Sequence, residues 1–197
     1  MKESTTLVLN KIEVAEVLIN EAVFLFFDRA SPVITEVLTG AALDVLRPLA
    51  KREKIASPLF DNPCVPSERK GEWSKLLKIP YTFFKHANWD PDETIEYSDK
   101  GISHLLYDAC YLSVTLSKRE RFRSHSSPSG APLFMSWFRL KYPQFFTPQQ
   151  QIPVEFTDGI NPDNFKEWVE LACAFRKTPY TAGYKGIVFC PSQSAKG

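Results

Sequence analysis

The dipeptide Ser31-Pro32 stands between two long runs of helical periodicity and restricts the fold more than any other feature of the chain. Proline at the first position of a helix costs nothing, because that N–H has no partner inside the helix, and the preceding serine supplies an oxygen that caps the N-terminus. Upstream, from Leu7 to about Phe27, the apolar residues Ile12, Ala15, Ile19, Ala22, Val23 and Phe26 recur every three or four positions, with Lys11, Glu13, Glu16, Asn20 and Glu21 mostly between them. Downstream, Val33, Val37, Leu38, Ala41, Ala42, Val45 and Leu46 draw a second apolar stripe. The first helix should end near Asp28 and the second start at once, so the two are expected to pair antiparallel, with Gly40, Ala41 and Ala42 admitting a close neighbour. Pro48 should kink or stop the second helix, since it removes a donor and its ring meets the carbonyl of Asp44. Lys51, Arg52 and Lys54 then read as a solvated helix end favoured by the helix dipole.

Residues 57–71 hold prolines at 58, 63 and 66 and a glycine at 71, and are expected to form an exposed loop. Trp73, Leu76 and Leu77 suit one short helix, and Tyr81, Phe83 and Phe84 a second. From about Ser98 to Lys118, Ile102, Leu105, Leu106, Ala109, Leu112, Ser113 and Leu116 repeat with helical spacing, and this helix should pack on the first two. A mobile loop is expected over about 124–131, followed by an apolar helix that stops at Pro143. Another helix should be capped by Asn161 with Pro162 at its first position. Residues 178–197, with Gly183, Gly186 and the run Ile187 to Phe189, read as an irregular, extended segment laid on the helices. The expected architecture is thus a single all-α domain over 1–197, a multi-helix bundle with a long N-terminal antiparallel pair.

At 197 residues the chain is long enough for a sizeable core, and its 44% hydrophobic and 24% charged residues are those of an ordinary globular protein. Fifteen Phe point to a core rich in rings. A formal charge of +1 gives no overall field for nucleic acid or anionic lipid, so any such binding needs a local patch. Cys64, Cys110, Cys173 and Cys190 form no CxxC pair, which argues against a zinc knuckle or redox motif and for reduced thiols in a cytosol. The start of the chain lacks the apolar run of a secretory signal, and no window is apolar enough to span a bilayer, so no membrane is expected.

Two resemblances add to this reading. The text from Glu13 to Arg52, together with Tyr81 to Tyr97, resembles a family of bacterial helical proteins to which no activity is assigned, over roughly the first 120 residues. In that family a helix ending in a double Phe is followed by an Asp-Pro or Ser-Pro turn, a small-residue helix, and a Phe-Phe-Lys-His-Ala segment leading to Asp-Pro. The matching positions here are Phe26, Phe27, Ser31, Pro32, Ala41, Ala42, Phe83, Phe84, Lys85, His86, Ala87, Asp90 and Pro91. The match implies a fold and no reaction. Arg119 to His125 is in turn similar to the Arg, four to six residues, His pattern of the helical HEPN ribonucleases, a metal-independent class completed across a dimer. That resemblance implies a histidine that deprotonates a ribose 2′-hydroxyl and an arginine that stabilises the phosphorane. Glu120 and the serine-rich surroundings of His125 depart from the pattern.

The candidate catalytic residues are therefore His86, Arg119 and His125. His86 lies in a short polar turn with Lys85, Asn88 and Asp90, where it could act as a base or simply cap a helix. His104 and Asp108, four apart on one helix, could in principle join it in a metal site, but no spacing here has the specificity of a metal motif, and no metal or cofactor is expected. Lys118, Arg119, Arg121 and Arg123 with Phe122 could contact RNA phosphates, or form a solvated helix end. The leading expectation is a helical binding or interaction domain of a bacterial cytoplasmic system, with a protein partner or self-association. A HEPN-like endoribonuclease is the alternative. LFMSWFRLKYPQFF would be an interaction surface if exposed, although burial in the core suits it better.

Overall fold

The computed structural model describes residues 9–86, 91–119, 130–152 and 159–177. Six α-helices form a bundle: α1 (Lys11–Asp28), α2 (Pro32–Arg52), α3 (Lys70–Lys85), α4 (Ile102–Ser117), α5 (Gly130–Lys141) and α6 (Phe165–Lys177), and no strand occurs among the described residues. Helix α1 opens at Lys11, because Asn10 closes a capping box there. The Asn10 side chain accepts from the backbone N–H of Ile12 and Glu13 at 2.9 and 3.0 Å, while Glu13 accepts from the Asn10 N–H at 2.8 Å. Arg29 ends α1 in the left-handed region at φ 53°, and Ser31 begins the next helix, its Oγ accepting from the Ile34 N–H at 3.3 Å. The tight return makes α1 and α2 the most extensively packed pair in the molecule.

Helix α2 does not stop at Pro48 but continues to Arg52. The proline removes one hydrogen bond, whereas the turn beyond it holds Ala50, which is buried, and is closed by a well-formed C-cap. Lys54 adopts φ 57°, its N–H donates to the Lys51 carbonyl at 3.2 Å, and the Ile55 N–H donates to the Ala50 carbonyl at 2.9 Å. This is a Schellman arrangement with lysine where glycine is usual.

The expected pair of short helices at 73–77 and 81–84 is one continuous helix, α3, with Pro80 inside it. Anchors on either side of the proline keep it whole. The Trp73 indole donates to the Leu59 carbonyl at 2.8 Å, and the Tyr81 ring lies on Gly40, where a Cβ would stand 2.4 Å from Tyr81 Cγ. The close neighbour admitted by Gly40 is therefore α3. The stretch 57–71 is likewise not an exposed loop throughout: Ser57 and Phe60 are buried, Ser67–Arg69 is a 3-10 turn, and Lys70 and Gly71 already belong to α3.

Helix α4 is the axis of the bundle, packing on α1, α2 and α5 and buried on nearly every side. Helix α5 includes Gly130 and Ala131, placed at the end of the loop by sequence pattern. The Gly130 N–H donates to Asn20 Oδ1 at 2.7 Å, which draws the helix start onto α1. Phe134, Trp137 and Phe138 of α5 are buried, so the α5 part of LFMSWFRLKYPQFF contributes to the core, while Phe145 beyond it is 58% exposed. The three buried rings meet Phe26, Phe27, Phe165 and Trp168 in a cluster of edge-to-face and stacked rings, Phe27 lying parallel to Trp168 at 5.7 Å.

Helix α6 starts at Phe165, three residues after Pro162, because the preceding carbonyls are used by tryptophans. The Asn161 carbonyl accepts from the Trp168 indole at 3.1 Å and the Pro162 carbonyl from the Trp137 indole at 2.8 Å, while Asn161 Oδ1 accepts from the Asp163 N–H. The extended segment expected at 178–197, and residues 124–129 of the expected loop, lie outside the described residues. Among the described residues no helix is long and apolar enough to cross a membrane.

Candidate functional site

A concavity is built where α2 ends. Its volume is about 650 Å³, and it lies between the C-terminal half of α2, the turn 54–61, Lys78 of α3 and Leu112 of α4. Arg47 and Lys51 share a face of α2, being four residues apart, and Lys54 is added by the cap that reverses the chain. Lys78 arrives from α3, which the Tyr81 and Trp73 anchors hold against this side of α2. The guanidinium of Arg47 stands 3.7 Å over the Phe60 ring, which fixes its plane and leaves its N–H groups for a further acceptor.

Two carboxylates reach the same groove, and both are engaged. Asp44 receives Lys85 Nζ at 3.0 Å, and Asp61 accepts from the Ser57 N–H at 2.8 Å. Among the described residues Lys51, Lys54 and Lys78 have no ion-pair partner. A chain of nearly balanced charge thus gathers unpaired cations in one hollow.

Asp108 supports the wall of this groove from below. It is fully buried on α4, and its carboxylate accepts from Ser57 Oγ at 2.8 Å and from the Leu59 N–H at 3.0 Å. Burial pushes its carboxyl up to about 6, while the bonds from Leu59 and Ser57 and the charge of Arg47 pull the other way. Asp108 is therefore a strut for the turn. His104, four residues earlier, is turned to the rings of Phe138, Tyr142 and Phe145 at 5.2 to 5.6 Å, and burial holds its imidazole below the usual histidine value. The pair serves different neighbours, and among the described residues no group of three or more His, Cys, Asp or Glu is placed to hold a metal ion.

Of the remaining candidates, His86, Lys118 and Arg119 do not line the groove. His86 is exposed at the C-terminal cap of α3, next to the Lys85 that reaches Asp44. Lys118 and Arg119 are exposed just past α4, where the Arg119 N–H donates to the Leu116 carbonyl at 2.8 Å. His125, Arg121 and Arg123 lie outside the described residues. His86 and Arg119 are carried by different helices, one packed on α2 and the other ending against Glu16 of α1 through Ser117.

A second hollow of about 380 Å³ lies between the α1–α2 turn, α5 and the start of α6. There Lys141 is bonded to Asp163, and Arg29 stands 4.0 Å over the Phe165 ring. Arg29 and Lys54 are the two non-glycine residues with positive φ among those described, and each lines one of the two hollows.

A buried polar pair was hidden from sequence pattern. Glu36 on α2 is 2% exposed, and among the described residues its Oε1 has no hydrogen-bond partner; the Tyr81 hydroxyl is buried and equally unpartnered there. Burial drives the Glu36 carboxyl up to about 7, and the nearby Tyr97 hydroxyl pulls it back part of the way. The signal available was that Glu36 shares a helix face with Gly40. Arg47 and Lys51 could similarly have been read as one face, whereas Lys78 joins them only through packing. Comparison with protein-family models, with curated proteins and with solved structures finds no match to this chain.

Proposed function

We propose that the chain is a helical binding domain whose ligand is anionic and is held in the groove at the end of α2. One observation carries the reading: Lys51, Lys54 and Lys78 line a single concavity with no ion-pair partner among the described residues, beside Arg47 and the carboxylates of Asp61 and of Asp44, which Lys85 engages. Concentrated unpaired cations raise the local concentration of an anion and supply charge-assisted hydrogen bonds once it is seated. The resemblance to bacterial helical proteins agrees with a binding role in a cytoplasmic system and brings no reaction with it. A protein partner or a second copy would be met on the outer side of α3, whose Leu76 and Ile79 are 59% and 49% exposed.

Thermal unfolding tests the reading. Sodium phosphate at millimolar concentration should raise the Tm of the wild-type chain above that in sodium chloride of equal ionic strength, and the Lys51→Ala/Lys78→Ala double variant should lose that increment. Equal responses in both proteins would remove the groove from consideration.

The exposed position of Arg119 at a helix edge favours a second reading, the HEPN-like metal-independent endoribonuclease, with Arg119 and His125, or His86, as its catalytic groups. Incubation with mixed RNA in EDTA decides it. Cleavage lost in His125→Ala, Arg119→Ala or His86→Ala supports the nuclease, and an inert wild-type protein at high concentration refutes it.

A further inference from the structure

We infer that the ligand of the α2 groove is a small phosphate-bearing molecule, a phosphomonoester or diphosphate on a compact organic body, and not a nucleic-acid strand. This inference rests on the anion-binding reading above and narrows its substrate class. A strand is bound along a track of cations that follows successive phosphates. Here the cations instead converge from three elements, α2, its cap and α3, on one hollow of about 650 Å³, within the size range of small-molecule sites. The hollow is larger than a bare phosphate, and Pro48, Ile55 and Ala56 give its wall an apolar strip against which an organic body can lie. Asp44 and Asp61 are exposed on the same groove, so its charge is not the unbroken cationic track that a strand follows.

The hollow is also prepared in advance. Arg47 is held in plane by Phe60, and the wall bearing Ser57 is pinned to buried Asp108, so little ordering is left for the moment of binding. Lys54 adds a separate indication. Its left-handed backbone would suit glycine better, yet a lysine there lines the hollow.

The test is calorimetric titration of the full chain at low salt with pyrophosphate, ADP, geranyl diphosphate and a single-stranded RNA 20-mer. Pyrophosphate should bind one per chain with Kd below about 1 mM, and ADP or geranyl diphosphate at least about tenfold tighter, the better of the two identifying a flat or a hydrocarbon body. Lys51→Ala and Lys78→Gln should each weaken binding about tenfold. Lys54→Gly should weaken it similarly while raising the Tm of the ligand-free chain by about 2–4 °C, which separates lost contact from lost fold. RNA binding that is abolished by Lys51→Ala, with no binding of the small phosphates, overturns this inference and leaves the anion-binding reading standing. Small-phosphate binding that is indifferent to all three variants, or no binding of any probe, overturns both.

Discussion

Replacing Glu36 by glutamine should make the stability of this protein less sensitive to pH, and the size of the effect follows from the burial of one carboxyl. In the folded chain Glu36 titrates at about 7 instead of 4.5, because α2 holds it 2% exposed with Oε1 unpartnered among the described residues. Below pH 4.5 the group is protonated whether the chain is folded or not, so it contributes no pH dependence. Between 4.5 and 7 the unfolded chain releases the proton and the folded chain keeps it, so stability falls as pH rises; above 7 both forms are ionised and the loss is complete. The difference in pKa corresponds to about 3 kcal/mol at 1.36 kcal/mol per unit. Glutamine is neutral throughout. Its amide leaves a buried donor unpaired at a cost of about 1–3 kcal/mol, but that cost is the same at every pH. Urea unfolding of both proteins from pH 4 to 8 isolates the carboxyl, because every other titrating group is common to the two. The stability difference should move by about 3 kcal/mol in favour of Glu36→Gln across this range, with half the change near pH 6. A difference constant to within about 0.5 kcal/mol would show that Glu36 is not buried in the charged state and would refute the argument.

Other consequences can be checked directly. Asp108→Ala should cost on the order of 3 kcal/mol in chemical denaturation, because the Ser57 hydroxyl and the Leu59 N–H lose their acceptor inside the protein. Gly40→Ala should destabilise by about 1–3 kcal/mol, since the new Cβ would meet Tyr81 Cγ at 2.4 Å and α3 must lift to admit it; a thermal melt superimposable on the wild type would contradict the contact. His104 should titrate below 6.5 by NMR, and because its folded form resists protonation, the chain should lose stability as pH falls through that value. His104→Phe should lessen that acid sensitivity.

Much of the bundle was legible from short-range pattern. The α1–α2 hairpin could be placed because Ser31 and Pro32 act within one turn of the helix they start, and α4 because its apolar residues recur at spacings of three and four. Helix ends near proline were less legible: α2 runs past Pro48 to Arg52, where a kink or a stop was expected, and the two short helices expected at 73–77 and 81–84 are one, with Pro80 inside it. A missing hydrogen bond costs a few kcal/mol at most, and contacts on both sides of it, Ala50 in α2 and the Trp73 and Tyr81 anchors in α3, outweigh that cost. Asn161 and Pro162 misled in the opposite sense, since tryptophan side chains claimed the carbonyls that would have begun the helix.

The candidate site was much less legible. Lys51 and Lys54 read as a solvated helix end, and nothing local distinguishes that from the wall of a groove; Lys78, 24 positions beyond Lys54, completes the hollow only because α3 folds back over α2. His86 and Arg119 stood out by residue type, yet the structure carries them on separate elements. Sequence alone determined the helical class, the Ser31-Pro32 hairpin and the aromatic character of the core, because periodicity, caps and composition act over a few residues. Tertiary structure decided which cations go unpaired, that Asp108 supports a turn, and that Glu36 is buried, because solvation and charge pairing depend on neighbours that only packing brings together.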